Sequence, residues 1–213
     1  MHFDNKIYEL KQGEFIDPKP DQYISLTTGY NFIEQDETEN IKIVDNLINT
    51  IFPQPELKKL YLTILSTGLD GIPLEKFVIA NGGGGNGKGV LNELVEYTLG
   101  NFCYILPSQI LTGPLKTGSN PELANMNNKR LVFFKEPDKE LKFNMSTVKD
   151  ITGGSKINAR VNYSNDTTTN LKLTLVGECN DKPKSNEVND AVARKVMDIP
   201  FKVNLLINMN MIN

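Results

Sequence analysis

Apolar positions recur at helical spacing between residues 41 and 65, then give way to short continuous runs. Ile41, Val44, Leu47, Ile48 and Ile51 predict a helix that Pro53 ends. Pro55 suits the first turn of the next one, which runs through Leu57, Leu60, Tyr61, Ile64 and Leu65 and stops at Gly68 or Gly71. Both stripes read as core. Upstream, Ile7 and Leu10 face Phe15 and Ile16 across a turn at Gln12-Gly13, which predicts a small hairpin. Residues 23–32 read as another extended segment, and the acidic stretch Glu34 to Glu39 as a boundary. Downstream, Phe77 to Ala80 reads as a buried strand. The following helix carries Val90, Leu91, Leu94 and Val95 on one face and closes at Gly100. Tyr104 to Leu106 predicts a short strand, 111–121 a loop, and Pro121 to Asn127 a helical turn or two. The four apolar residues Leu131 to Phe134 predict a strand covered on both faces, as in parallel sheets. Met145 to Ile151 reads as a short helix. Lys156 to Asn162 and Leu171 to Val176 read as a long hairpin around a polar turn. Glu187 to Ala193 reads as a helical turn and Lys195 to Phe201 as a last strand. The order predicts an α/β fold: a parallel sheet flanked by helices, with a small N-terminal appendage.

Between the Phe77 strand and the next helix lie Gly82, Gly83, Gly84, Gly85, Asn86, Gly87, Lys88 and Gly89. Strand, glycine loop, lysine and helix is the order of a phosphate-binding loop, G-x-x-x-x-G-K-[ST]. Glycines let backbone N–H groups turn inward, and with the helix N-terminus they cradle an anion. Lys88 then places a point charge on the β- and γ-phosphates. Gly89 departs from the motif, having no hydroxyl for Mg²⁺. Gly82, Gly84 and Gly87 also satisfy G-x-G-x-x-G, but a dinucleotide site wants an acid about 20 residues on. Asn101 to Ile110 contains no Asp or Glu, and that reading leaves Lys88 unexplained. A flexible glycine loop without a ligand is the other alternative.

Composition narrows the chemistry. With 213 residues, 39% hydrophobic and 23% charged, the chain suits one main domain with an appendage. No apolar run reaches membrane-span length and no signal-peptide core is present, so a cytosolic compartment is expected. Cys103 and Cys179 are too few for a disulfide framework and read as inert, reduced thiols. The single histidine, His2, sits at a terminus expected to fray, which removes Ser-His-Asp chemistry and most zinc sites. A net charge of −3 means that a nucleic-acid partner needs local basic positions.

Phosphate-loop enzymes carry acids after a second buried strand. Here Glu136 is the natural water-activating carboxylate, or else a solvated glutamate at a strand end. Lys135 stands where a metal-binding aspartate is expected, and Asp138 is the substitute candidate for Mg²⁺. Asn180, past a third core strand, is placed to contact the γ-phosphate and the attacking water. It also reads as a plain turn residue. Arg194 precedes the last strand, as a surface arginine or as an arginine finger for a neighbouring subunit.

Taken in this order, the residues resemble the superfamily 3 helicases, in the viral and phage primase-helicase branch that includes the poxvirus protein. Residues 82–88 look like that branch's Walker A loop and Arg130 to Pro137 like its Walker B segment. Ile151 to Arg160 is similar to motif B′, and Asn180-Asp-Lys-Pro183 to motif C. Ala193 to Lys195 with Ile199 to Phe201 resembles the arginine-bearing end of the core. Tyr23 to Tyr30 and Asn120 to Ala124 also look like family segments. The resemblance implies an AAA+-like P-loop NTPase, ATP and Mg²⁺ as cofactors, hexameric rings, a primase domain or protein as companion, and ATP-driven translocation on DNA in virus replication in the infected cell. It divides the chain into the end of an N-terminal region (1–37), a helical linker (38–72), the ATPase core (73–202) and an atypical tail (203–213) that reads as truncated or as a genuine short terminal strand or helix. The hairpin is expected to face a ring channel; Lys156 and Arg160, four residues apart on one face of the strand, read as contacts to the DNA backbone or as ordinary strand-surface charge, with Arg160 alternatively tying the hairpin to the ATPase site. The rival functions are a nucleotide-binding switch or ATPase without translocation, and an inactive remnant.

Overall fold

The computed structural model describes residues 1–34, 38–115, 120–136, 141–154, 156–158 and 168–205. The N-terminal hairpin forms as expected: β1 (Ile7–Glu9) pairs antiparallel with β2 (Glu14–Ile16). Phe3, Tyr8, Phe15, Tyr30 and Phe32 pack their rings together around it. Residues 23–32 form no strand. The segment is held instead by single bonds, Thr28 N–H to His2 O (2.8 Å) and Tyr30 Oη–H to Thr98 O (2.6 Å). His2 is not frayed, but bridges to Ile7.

Helices α1 (Thr38–Ile51) and α2 (Pro55–Asp70) follow. Proline opens α2, and Gly71, at φ 74°, closes it. Next come β3 (Phe77–Asn81), α3 (Lys88–Leu99), β4 (Cys103–Ile105), α4 (Pro121–Asn125), β5 (Leu131–Lys135) and α5 (Met145–Thr152). The chain ends with β6 (Lys156–Asn158), β7 (Thr168–Asn170), β8 (Thr174–Cys179), α6 (Asp190–Lys195) and β9 (Val196–Pro200). Asparagine starts three of the short helices. The side chains of Asn120, Asn144 and Asn189 accept backbone N–H groups of α4, α5 and α6, satisfying donors that a helix start leaves open.

Five strands form one parallel sheet in the order β4-β5-β8-β3-β9. Side chains alternate between its faces. Val78, Ala80, Phe133, Val176 and Ile199 face a core shared with Ile51, Tyr61, Ile64 and Leu91 of α1–α3. Phe77, Ile79, Val132, Phe134 and Leu175 face a core shared with Val148 and Ile151 of α5 and Val192 of α6. Helices on both faces account for the unbroken apolar runs.

Two further expectations need correction. The partner of β6 is β7, not the Leu171 to Val176 run, whose last three residues, from Thr174, begin β8 in the parallel sheet. On α3, Val90 is 57% exposed, so the buried face runs through Leu91 and Leu99. Among the described residues no helix is long and apolar enough to cross a membrane.

Candidate nucleotide-binding site

All five sheet strands point the same way, so their carboxyl ends open onto one crevice, where α/β sheets bind ligands. The glycine loop leaves β3 there. Gly82 has φ 153° and Gly87 φ 83°, both barred to ordinary side chains. A Cβ on Gly82 would lie 2.2 Å from Phe201 O, and one on Gly87 2.7 Å from Ile51 Cγ1. These two glycines are required by the fold, whereas Gly83 and Gly84 have open space around them. Asn86 is buried and ties the loop down: its Nδ2 donates to Phe201 O (3.3 Å), and its Oδ1 accepts from Lys88 N–H (3.3 Å). Leu205 N–H donates to Gly85 O (2.8 Å), so the start of the tail also holds the loop.

Lys88 is 8% exposed, and its ammonium donates to Gly82 O (2.7 Å), Gly83 O (3.5 Å) and Asn180 Oδ1 (3.1 Å). These acceptors are neutral, and among the described residues no carboxylate lies within ion-pair distance. A buried cation with no ion-paired carboxylate among the described residues, set in a glycine loop at a helix start, fits a phosphate group. Asn180 N–H donates to Glu136 Oε2 (2.8 Å), and Glu136 N–H donates to Glu178 O (2.8 Å). Lys88, Glu136 and Asn180 therefore converge as expected. They line a cleft of about 430 Å³ with Gly85 to Gly89, Lys135 and Glu178.

Arg194 is elsewhere. It is exposed at the end of α6, with Nε donating to Asp190 O (3.3 Å), while its own carbonyl accepts from Lys76 Nζ (2.6 Å). β9 starts beside the first residue of β3, and the loop leaves the last. Four steps of about 3.3 Å separate the two ends, roughly 13 Å, so Arg194 lies at the amino end of the strands, opposite the carboxyl end where its own loop sits. Asp138 and Arg160 lie outside the described residues, as does the side chain of Lys156.

Among the described residues no three His, Cys, Asp or Glu side chains gather to hold a metal. A cation here would depend on phosphate oxygens and water besides protein carboxylates, which suits Mg²⁺. Sequence reasoning missed Glu178, at the carboxyl end of β8 and facing the cleft. Strand alternation from Val176 was the available signal. The thiols match expectation: burial pushes Cys103 and Cys179 up to about 12.

Fold and loop together define an α/β core of the P-loop NTPase kind. The comparisons agree with it. The chain is 34% identical over 203 residues to a protein of Acanthamoeba polyphaga mimivirus named "Putative helicase", covering 93% of this chain and 21% of that one. It is 27% identical over 214 residues to a primase of Fowlpox virus, covering 95% and 27%. The chain is thus a homologue of helicase- and primase-named proteins of large DNA viruses, and spans about a fifth to a quarter of these two relatives. Among solved structures, the apo C-terminal region of NrS-1 superposes with a TM-score of 0.61 at 16% identity, covering 96% of this chain and 47% of that one, a likeness of fold. No family model matches.

Proposed function

We propose that the chain is the ATPase core of a viral DNA helicase that acts in genome replication, hydrolysing ATP to translocate on DNA. The observation that carries this reading is the buried ammonium of Lys88, with no ion-paired carboxylate among the described residues, beside Glu136 and Asn180. Lys88 holds the phosphates, and the loop N–H groups bind their oxygens. Glu136 orients the attacking water and takes its proton, steadied by the Asn180 N–H. Asn180 Oδ1 holds Lys88 in place and positions the amide near the γ-phosphate. Mg²⁺ accompanying ATP supplies charge neutralisation at the phosphates.

Translocation needs neighbouring copies. Arg194, at the amino end of the strands and away from its own loop, suits an arginine that completes the next subunit's site in a hexamer, and Lys156 and Arg160 are the candidates for the DNA backbone. The mimivirus relative's name supports a helicase, and the fowlpox relative's name supports association with a primase. The test is ATP turnover of the purified protein with and without single-stranded DNA, read beside its oligomeric mass. Turnover stimulated by DNA in an oligomer is the expected result. DNA-independent turnover would leave a nucleotide switch or an ATPase without translocation, and absent turnover in a monomer would leave an inactive core.

A further inference from the structure

Two groups expected to hold a cation are missing from this chain: Gly89 has no hydroxyl and Lys135 replaces an acid. We infer that Glu178 fills both roles, and that its Oε2 is the protein oxygen through which this site holds Mg²⁺, directly or through a water. The inference rests on the nucleotide-site reading above.

Four observations carry it. A Cβ built on Gly89 would lie 3.6 Å from Glu178 Oε2, so the carboxylate borders the space that a hydroxyl at residue 89 would enter. Glu178 pairs in register with Lys135 on the adjacent strand, so both project to the same face of the sheet. The Glu178 side chain is also anchored from behind. Its Oε1 accepts from Asn92 Nδ2 (3.1 Å), and Asn92 Oδ1 accepts from Tyr61 Oη–H (2.6 Å). Asn92 is 2% exposed and Tyr61 fully buried. Burial raises the phenol's pKa far above its ordinary value, so Tyr61 donates; Asn92 must then present its oxygen to Tyr61 and its NH₂ to Glu178. Finally, Asn92 lies four residues after Lys88 on α3, so one helix face carries both the cationic group and the anchor of the anionic one. The buried chain fixes Oε1 and leaves Oε2 toward the loop. Carboxylate oxygen is a preferred ligand for a hard divalent cation, and partners that hold such a ligand are commonly worth about 10–100-fold in metal affinity. The exposed ammonium of Lys135 shares the cleft and suits phosphate oxygens.

The experiment is calorimetric binding of a non-hydrolysable ATP analogue, in Mg²⁺ and in EDTA. Wild-type protein should bind at least tenfold more tightly in Mg²⁺. Glu178→Gln keeps an acceptor for Asn92, so the fold is retained. In EDTA it should bind at least as tightly as wild type, because it removes a negative charge beside the phosphates, yet it should lose the Mg²⁺ enhancement. Adding Gly89→Ser to Glu178→Gln should restore part of it, and Tyr61→Phe should weaken it less than Glu178→Gln does. An undiminished Mg²⁺ enhancement in Glu178→Gln would overturn the inference while leaving the nucleotide site intact. No binding by wild type in either condition would overturn the nucleotide-site reading itself.

Discussion

Replacing loop glycines one at a time separates a built phosphate loop from a merely flexible one. Gly87→Ala forces a Cβ into the left-handed region at φ 83°, within 2.7 Å of Ile51 Cγ1 and 2.8 Å of its Cδ1. The conformation costs about 1–2 kcal/mol. Ile51 is 1% exposed and packed in the core, so moving it adds about 1–3 kcal/mol of overpacking. The sum is roughly 2–5 kcal/mol, which at about 2–4 °C per kcal/mol for a chain of this size lowers Tm by roughly 4–20 °C. Gly83→Ala has no atom within 4 Å of the new Cβ and no left-handed φ, so its Tm should stay near wild type. Thermal unfolding followed by circular dichroism measures both. Equal losses from the two substitutions, or none from Gly87→Ala, would refute the loop geometry and the cradle built on it.

Three further outcomes follow from the same site and core. Glu136→Gln should keep nucleotide binding but slow turnover by about 10²–10³-fold, checked by steady-state hydrolysis beside equilibrium binding. Arg194→Ala protein mixed with Lys88→Met protein should regain turnover that neither shows alone, because a mixed interface pairs an intact loop with an intact arginine; an arginine finger is worth about 10³–10⁵-fold, and an inert mixture would argue against action in trans. The raised thiols give an alkaline signature. Folded Cys103 and Cys179 keep their protons up to about 12, while unfolded thiols lose theirs near 9.0, so stability should fall as pH rises through that window. Denaturant titrations of the Cys103→Ala/Cys179→Ala variant should show a shallower decline.

Much of this was legible in the sequence because its signals are local. The proline at the start of α2, the glycine at its end and the 3.6-residue stripe of Tyr61 and Ile64 fix that helix without reference to anything distant. The loop was legible because strand, glycines, Lys88 and helix adjoin in the chain. The misses were non-local. Gly177 looked like a strand's end, yet β8 runs through it to Cys179, because the Phe134 ring lies where a side chain at 177 would stand; a Cβ there would be 2.1 Å from Phe134 Cζ. Placing the end of β8 too early hid Glu178 from the list of site residues. Thr168 to Asn170 has no apolar alternation, so its pairing with Lys156 to Asn158 left no trace in the pattern. Tyr61 was read as core, which it is, but its hydroxyl's bond to Asn92 spans 31 positions and no periodicity reports it.

The central claim is that the loop around Lys88 binds the phosphates of a nucleotide. Calorimetric titration with ATP and Mg²⁺, on wild type and on Lys88→Met, tests it most directly. Methionine keeps most of the buried stem and removes the charge. Charge-assisted hydrogen bonds are worth about 1.5–3 kcal/mol, which predicts binding weakened by roughly 10–100-fold with the fold retained by circular dichroism. Equal affinity in the two proteins would contradict the account.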